Sequence, residues 1–209
     1  MAVKQVTVID HPLVQEKLTR LRDKRTPSPE FRRLLGELAV LLVFEATRDL
    51  RLRPTRVRTP LALARGHRLR DNLLLVPVLR AGLALVEPLT RLIPEARVGF
   101  IGLRRNEETL QPEAYLEKLP DDLSDCEVLL LDPMLATGGS ALAALEMLAA
   151  RGARRIQLVN VLAAPEGIRN VHARFPRVAI YTAALDKRLN KLGYIVPGLG
   201  DAGDRAFGV

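Results

Sequence analysis

Residues 128–148 read VLLLDPMLATGGSALAALEML, and two different patterns meet inside them. The apolar run 126–132, CEVLLLD, is short and shows no polar alternation, which suits a strand covered on both faces. From Gly139 or Ser140 the chain turns to alanine and leucine, a helix that Gly152 ends as its C-cap. Between them, Gly138 and Gly139 let the backbone approach a ligand closely, and Thr137 and Ser140 offer hydroxyls. The first N–H groups of the helix have no backbone partner, and its dipole adds roughly half a positive charge there. An acid, Asp132, and a glycine-bearing turn into a helix form a cradle for phosphate. No G-K-[ST] triplet follows, so this is not a Walker A loop. The plainer alternative is a strand-to-helix turn with Ser or Thr as N-cap.

The alternation of strand and helix extends to both sides. Strand candidates are LLLVPVL (73–79), RVGFIGL (97–103), RIQLVNVLA (155–163) and VAIYTA (178–183). Pro77 predicts a bulge or an early end in the first of these. Helices are predicted in HPLVQEKLTRLRDK, in SPEFRRLLGELAVLLVFEATRDL with Ser28 as N-cap, in AGLALVEPLTRLI with a break near Pro88, and in PEGIRNVHARFP. Residues 51–72, basic and interrupted by Pro54 and Pro60, read as extended or hairpin structure. The sum is an α/β chain: a parallel-sheet core flanked by helices, with two helices ahead of it, and residues 1–209 forming one domain.

Ligands of such a sheet bind beyond the carboxyl ends of its strands. There the sequence places RAGL after 73–79, RRNEETL after 97–103 and DPMLATGGS after 126–131. Arginines, an aspartate and a glycine turn on one rim point to an anionic ligand. Near the end of the chain, Gly198, Gly200 and Gly203 match G-x-G-x-x-G. The dinucleotide reading fails, because six residues follow Gly203 and leave no room for a helix of useful length or a continuing βαβ unit.

Composition narrows the classes. The chain has 209 residues, a net charge of +8, and a single cysteine, Cys126, which rules out an internal disulfide and any cysteine-based metal cluster. No run of about eighteen apolar residues occurs, and the start lacks the apolar stretch of a signal peptide, so a reduced, cytoplasmic protein is expected. Aromatic residues are only 4%, which disfavours a base-stacking platform for single strands. The basic balance fits phosphorylated small molecules or nucleic acid, with RDLRLRPTRVR (48–58) as the stretch an RNA-binding regulator would use. His11, His67 and His172 lie far from the motifs and read as structural or exposed.

DPMLATGGS resembles the phosphoribosyl pyrophosphate loop of type I phosphoribosyltransferases, in the form found in uracil phosphoribosyltransferases, where Pro133 stands in place of a second acid. HPLVQEKL, FEATRDL, PVLRAGL, RRNEETLQP, AAPEGI, YTAALD and GYIVPGLGDAGDRAFG extend the resemblance over nearly the whole chain, in order. It implies the type I phosphoribosyltransferase fold with a C-terminal base-binding hood. The implied reaction is transfer of phosphoribosyl from 5-phospho-α-D-ribose 1-diphosphate to uracil, giving UMP and diphosphate. A phosphoribosyltransferase for another base and an RNA-binding regulator on the same fold are the competing readings.

The resemblance also implies roles. Asp132, Pro133, Met134, Leu135, Ala136, Thr137, Gly138, Gly139 and Ser140 would hold the phosphoribosyl group, with Ala136–Ser140 on the 5′-phosphate and Asp132 on the ribose hydroxyls. Arg80 and Arg105 would clamp the pyrophosphate, Arg105 being preferred to Arg104 because it directly precedes NEET. The backbones of Ile195, Gly200, Asp201 and Ala202 would read uracil, and the Asp201 side chain would face the pyrophosphate and its Mg²⁺. Mg²⁺ is expected to arrive on the substrate rather than in a protein cage. GTP is a possible activator, with no site assignable. The expected assembly is a homodimer or higher homo-oligomer, with neither nucleic acid nor membrane as partner.

Overall fold

The computed structural model describes residues 6–105 and 112–209, and of Arg105 it describes only the backbone. The elements in order are β1 (Val6–Val8), α1 (Pro12–Arg22), α2 (Ser28–Ala46), β2 (Leu52–Arg58), β3 (Leu63–Leu69), β4 (Asn72–Leu79) and α3 (Leu83–Leu92). There follow β5 (Arg97–Val98), β6 (Phe100–Arg105), β7 (Pro112–Lys118), β8 (Cys126–Leu131), β9 (Met134–Leu135), α4 (Gly139–Ala150) and β10 (Arg155–Ala163). The chain ends with α5 (Pro165–Arg174), β11 (Ala179–Leu185), β12 (Arg188–Leu189), β13 (Ile195–Val196) and α6 (Ala202–Phe207).

The main sheet runs β1-β11-β10-β8-β4-β6-β7. All its neighbours pair parallel except β7, which lies antiparallel on β6. The parallel strands therefore present their carboxyl ends along one edge, as the alternation predicts. The unbroken apolar runs have a simple cause: both faces are covered. Leu73 and Leu75 of β4, with Leu129 and Leu131 of β8, pack under α1, α2, α3 and α6. Leu74, Val76 and Val78, with Val128 and Leu130, pack under α4 and α5. Successive strand residues thus serve opposite cores. Among the described residues no helix is long and apolar enough to cross a membrane.

Local expectations were corrected in several places. Pro77 neither bulges nor ends β4, which pairs through Pro77 with Leu131 of β8. On the other edge, pairing passes from β5 at Leu75 to β6 at Val78, and Pro77 stands in that gap. The predicted strand 97–103 is divided at Gly99 into β5 and β6. Pro88 does not break α3 but sits inside it, packed so closely on α2 that a Cβ on Gly36 would come within 2.5 Å of its ring. Pro27, not Ser28, is the N-cap of α2, because the Pro27 carbonyl accepts the Phe31 N–H at 2.9 Å. Most of residues 51–72 form the antiparallel hairpin β2–β3, which carries largely exposed arginines, and Asn72 already begins β4. The tail is not helix-free: Ala202–Phe207 make α6, and Ala202 and Ala206 are buried.

Candidate active site

The turn after β8 is held from below and open above. β9 pairs with β10, and the Pro133 carbonyl accepts from Val161 N–H at 2.9 Å and Leu162 N–H at 3.0 Å. Pro133 and Leu135 are consequently buried. Ala136–Ser140 form the free arc of the turn, and Thr137 and Ser140 are exposed. The N-cap of α4 is Gly138, with φ of +85° and no side chain to give, so the alternative of a Ser or Thr cap fails. The Thr137 hydroxyl reaches the Gly139 N–H only at 3.4 Å. The leading amides of α4 are left to whatever anion enters.

α5 supports this arc. The Asn170 amide donates to the Thr137 carbonyl at 2.9 Å. Gly167 packs beneath, where a Cβ would meet the Leu135 carbonyl at 2.9 Å. Gly138 needs its own missing Cβ twice over: its φ is positive, and a Cβ would stand 3.0 Å from the Gly167 carbonyl.

Asp132 lies at the carboxyl end of β8, half-buried. Its Oδ1 accepts from Met134 N–H at 3.2 Å, and its carbonyl accepts from the buried Asn160 amide at 2.6 Å. Desolvation pushes its carboxyl up to about 7, against the opposing pull of the Met134 N–H. A carboxylate so poorly solvated favours any group that brings hydroxyl donors or positive charge to it.

Arg80, after β4, is exposed, and its guanidinium lies 3.3 Å from the Asp204 carboxylate of α6. Arg104 is engaged within the β6–β7 hairpin, 3.2 Å from Glu113. The side chain of Arg105 and the residues 106–111 that follow lie outside the described residues.

The segment 186–201 closes over this rim. The two-stranded hairpin β12–β13 brings Gly193 to the turn, where a Cβ on it would stand 3.6 Å from the Thr137 methyl. A cleft of about 650 Å³ separates them, lined by Leu103, Arg104, Thr137, Ser140, Leu189 and Gly193 among others. Glu166, on α5, accepts from Leu189 N–H at 3.2 Å and so ties the hairpin to the helix that supports the turn. Ile195 buries its side chain in the core, leaving only its backbone for a ligand. Gly200 and Asp201 are exposed and Ala202 is buried. Asp201 caps α6, accepting from Asp204 N–H at 2.9 Å, a duty the sequence reading did not give it.

The three histidines stand apart from the cleft. His11 caps α1 through Leu13 N–H at 3.2 Å, His172 contacts the Val178 carbonyl at 3.0 Å, and His67 sits in the β2–β3 hairpin opposite Pro54. Sequence reasoning assigned no role to Asp186, Arg22, Glu166 or Asn170. An acid directly after a buried strand, as in YTAALD, was the available signal for the first of them.

A family model described as uracil phosphoribosyltransferase matches residues 8–209. The chain is 52% identical over 206 residues to the uracil phosphoribosyltransferase of Caldanaerobacter subterraneus subsp. tengcongensis, covering 98% of each. A solved structure, the AQ2163 protein from Aquifex aeolicus, superposes with a TM-score of 0.91 at 41% identity, covering 98% of both chains. A hypoxanthine-guanine phosphoribosyltransferase from Bacillus anthracis superposes with a TM-score of 0.52 at 14% identity over 74% of this chain and 78% of that one, a likeness of fold.

Proposed function

The chain belongs to the uracil phosphoribosyltransferase family, and from that premise we propose how its own residues carry the transfer of phosphoribosyl from 5-phospho-α-D-ribose 1-diphosphate to uracil, giving UMP and diphosphate. The observation that carries the assignment is the shared cleft: the glycine turn after β8 and the C-terminal hood face each other across it, with Gly193 against Thr137. A sugar phosphate on the turn and a flat base under the hood would then meet at the ribose C1.

The uncapped amides at the start of α4, with the Thr137 and Ser140 hydroxyls, bind the 5′-phosphate. Hydrogen bonds to such a charged group contribute roughly 1.5–3 kcal/mol each. Asp132 accepts the ribose hydroxyls. As the bond to pyrophosphate stretches, positive charge grows on the sugar, and the desolvated Asp132 carboxylate stabilises it more strongly than a hydrated one could. Arg80 and Arg105 take the charge that collects on the leaving pyrophosphate, their planar forks matching paired phosphate oxygens. Backbone N–H and C=O groups at Ile195 and Gly200–Ala202 match the donor and acceptor edge of uracil, so that positioning supplies much of the rate.

Mg²⁺ fits these residues as a substrate-borne ion. Among the described residues no group of three or more His, Cys, Asp or Glu side chains converges, while the Asp201 carboxylate, exposed at the start of α6, would offer one oxygen ligand. When bound, the ion neutralises charge on the departing pyrophosphate. A homo-oligomer, a cytoplasmic setting and activation by GTP complete the reading as family expectations.

Incubating the protein with uracil, phosphoribosyl pyrophosphate and Mg²⁺ tests the assignment. UMP and diphosphate should appear in equal amounts. UMP absent with uracil, while another base is ribosylated, would overturn it in favour of that base. Neither product, with steeply salt-dependent RNA binding, would favour the regulator.

A further inference from the structure

Beneath the hood lies an ion pair, its acid buried and its arginine half-buried, that neither substrate touches in the proposed reading. Asp186 follows β11 at the carboxyl edge of the sheet, 7% exposed, and its own N–H is fixed to the Ala163 carbonyl at 2.9 Å. Arg22, the last residue of α1, meets it with both terminal nitrogens, at 2.8 and 2.6 Å. Both groups then grip one residue of the hood, Gly198, through the peptide units on either side of it. Gly198 N–H donates to Asp186 Oδ2 at 2.8 Å, and the Gly198 carbonyl accepts from Arg22 Nη1 at 2.7 Å. Gly198 has φ of +62°, and a Cβ there would overlap the Ile195 carbonyl. A second arginine repeats the tie one residue on: Arg205 donates to the Leu199 and Leu21 carbonyls at 2.7 and 2.9 Å and to the Asp23 carbonyl at 2.6 Å.

We infer that Arg22 and Asp186 are positioning residues for the base: they hold the Gly198 backbone, and with it Ile195 on one side and Gly200–Ala202 on the other, whose backbones read uracil. The inference rests on the reaction assigned above. A neutral hydrogen-bonded loop would suffice for folding alone. A buried, paired charge costs desolvation and often adds little net stability, so its use here is geometric. The end of α1 is thereby part of the base site, although α1 lies far from it in sequence. Neither group contacts the turn after β8, so the phosphoribosyl side is unaffected.

The test is steady-state kinetics with each substrate varied in turn, on wild type, Asp186→Asn and Arg22→Lys. Arg22→Lys keeps a cation beside Asp186 while losing the fork that also reaches Gly198. The KM for uracil should rise about tenfold or more, as for loss of a charged hydrogen bond, while the KM for phosphoribosyl pyrophosphate stays within about twofold. Leu123→Ala, fully buried in the other core just before β8, is the control for lost stability, with both KM values unchanged. If both substrates' KM values move together in Arg22→Lys, or neither moves, the inference is overturned. Wild type that makes no UMP would instead remove the assigned reaction. Should Asp186→Asn fail to fold, Arg22→Lys alone still decides.

Discussion

At Asp132, chemistry and stability pull in opposite directions. Its carboxyl ionises near 7 in the fold and near its ordinary value of 3.8 in the unfolded chain. Below the lower value both states are protonated and the residue costs nothing. As pH rises between the two, the unfolded state loses its proton first, so stability falls, and above about 7 the penalty is complete. Asp132→Asn removes that penalty. Its Tm should exceed wild type at pH 8 by several degrees, since each pKa unit surviving solvent screening is worth about 1.4 kcal/mol and each kcal/mol about 2–4 °C. The gain should vanish near pH 4. Turnover should fall by about 10²-fold or more, because the acceptor of the ribose hydroxyls no longer carries charge. Thermal melts at the two pH values, alongside kcat, check both halves. A variant that is less stable at pH 8 would remove the claim that burial dominates at this carboxyl. The sequence identified Asp132 because an acid at the end of an apolar run is conspicuous. The size of its desolvation was not legible there, since Asn160 and the backbone around it come from β10, 28 residues on.

At the scale of elements, the strands and helices around β8 were readable because each is encoded locally. β4 and β8 are largely apolar runs, and Gly152 does follow the end of α4, with φ of +82°. Less legible were β1, three residues that owe their place to β11 far off in sequence, and β7, seven residues (PEAYLEK) that are largely exposed and carry no clean apolar run. The support of the phosphate turn by α5 was also hidden, because it depends on what is missing from Gly167. Gly167→Ala tests that support. Its new methyl would meet the Leu135 carbonyl at 2.9 Å and overlap heavily with that of Ala136, so the turn must shift. Displacements of about 1 Å at a positioning element can cost about 10²-fold in rate. The expected result is a raised KM for phosphoribosyl pyrophosphate with the KM for uracil little changed, the reverse of the split predicted for Arg22→Lys. Unchanged kinetics for both substrates would show that α5 merely lies beside the turn.

Across the whole molecule, the final dozen residues are both lid and core. The sequence showed a glycine-rich tail and gave no ground for a helix, because six residues cannot make a persistent one unaided. What holds α6 is distant. Leu199, Ala202 and Ala206 are buried in the same cluster as Phe31 and Leu34 of α2. The Arg205 guanidinium stacks on the Phe31 ring at 4.3 Å, and Arg32 donates to the Ala206 carbonyl at 2.5 Å. Removing residues 198–209 therefore does more than open the base site. It uncovers Phe31, takes a buried leucine from the core at roughly 1.5–3 kcal/mol, and leaves Arg22 and Asp186 without the Gly198 backbone they grip. The truncated chain should lose UMP synthesis and also melt on the order of 10 °C lower, the sum of several such losses at about 2–4 °C per kcal/mol. Calorimetry on the two chains decides it. A truncation that abolished uracil use yet melted within a degree of the full chain would mean that the tail covers the base without helping to hold the α2 layer together.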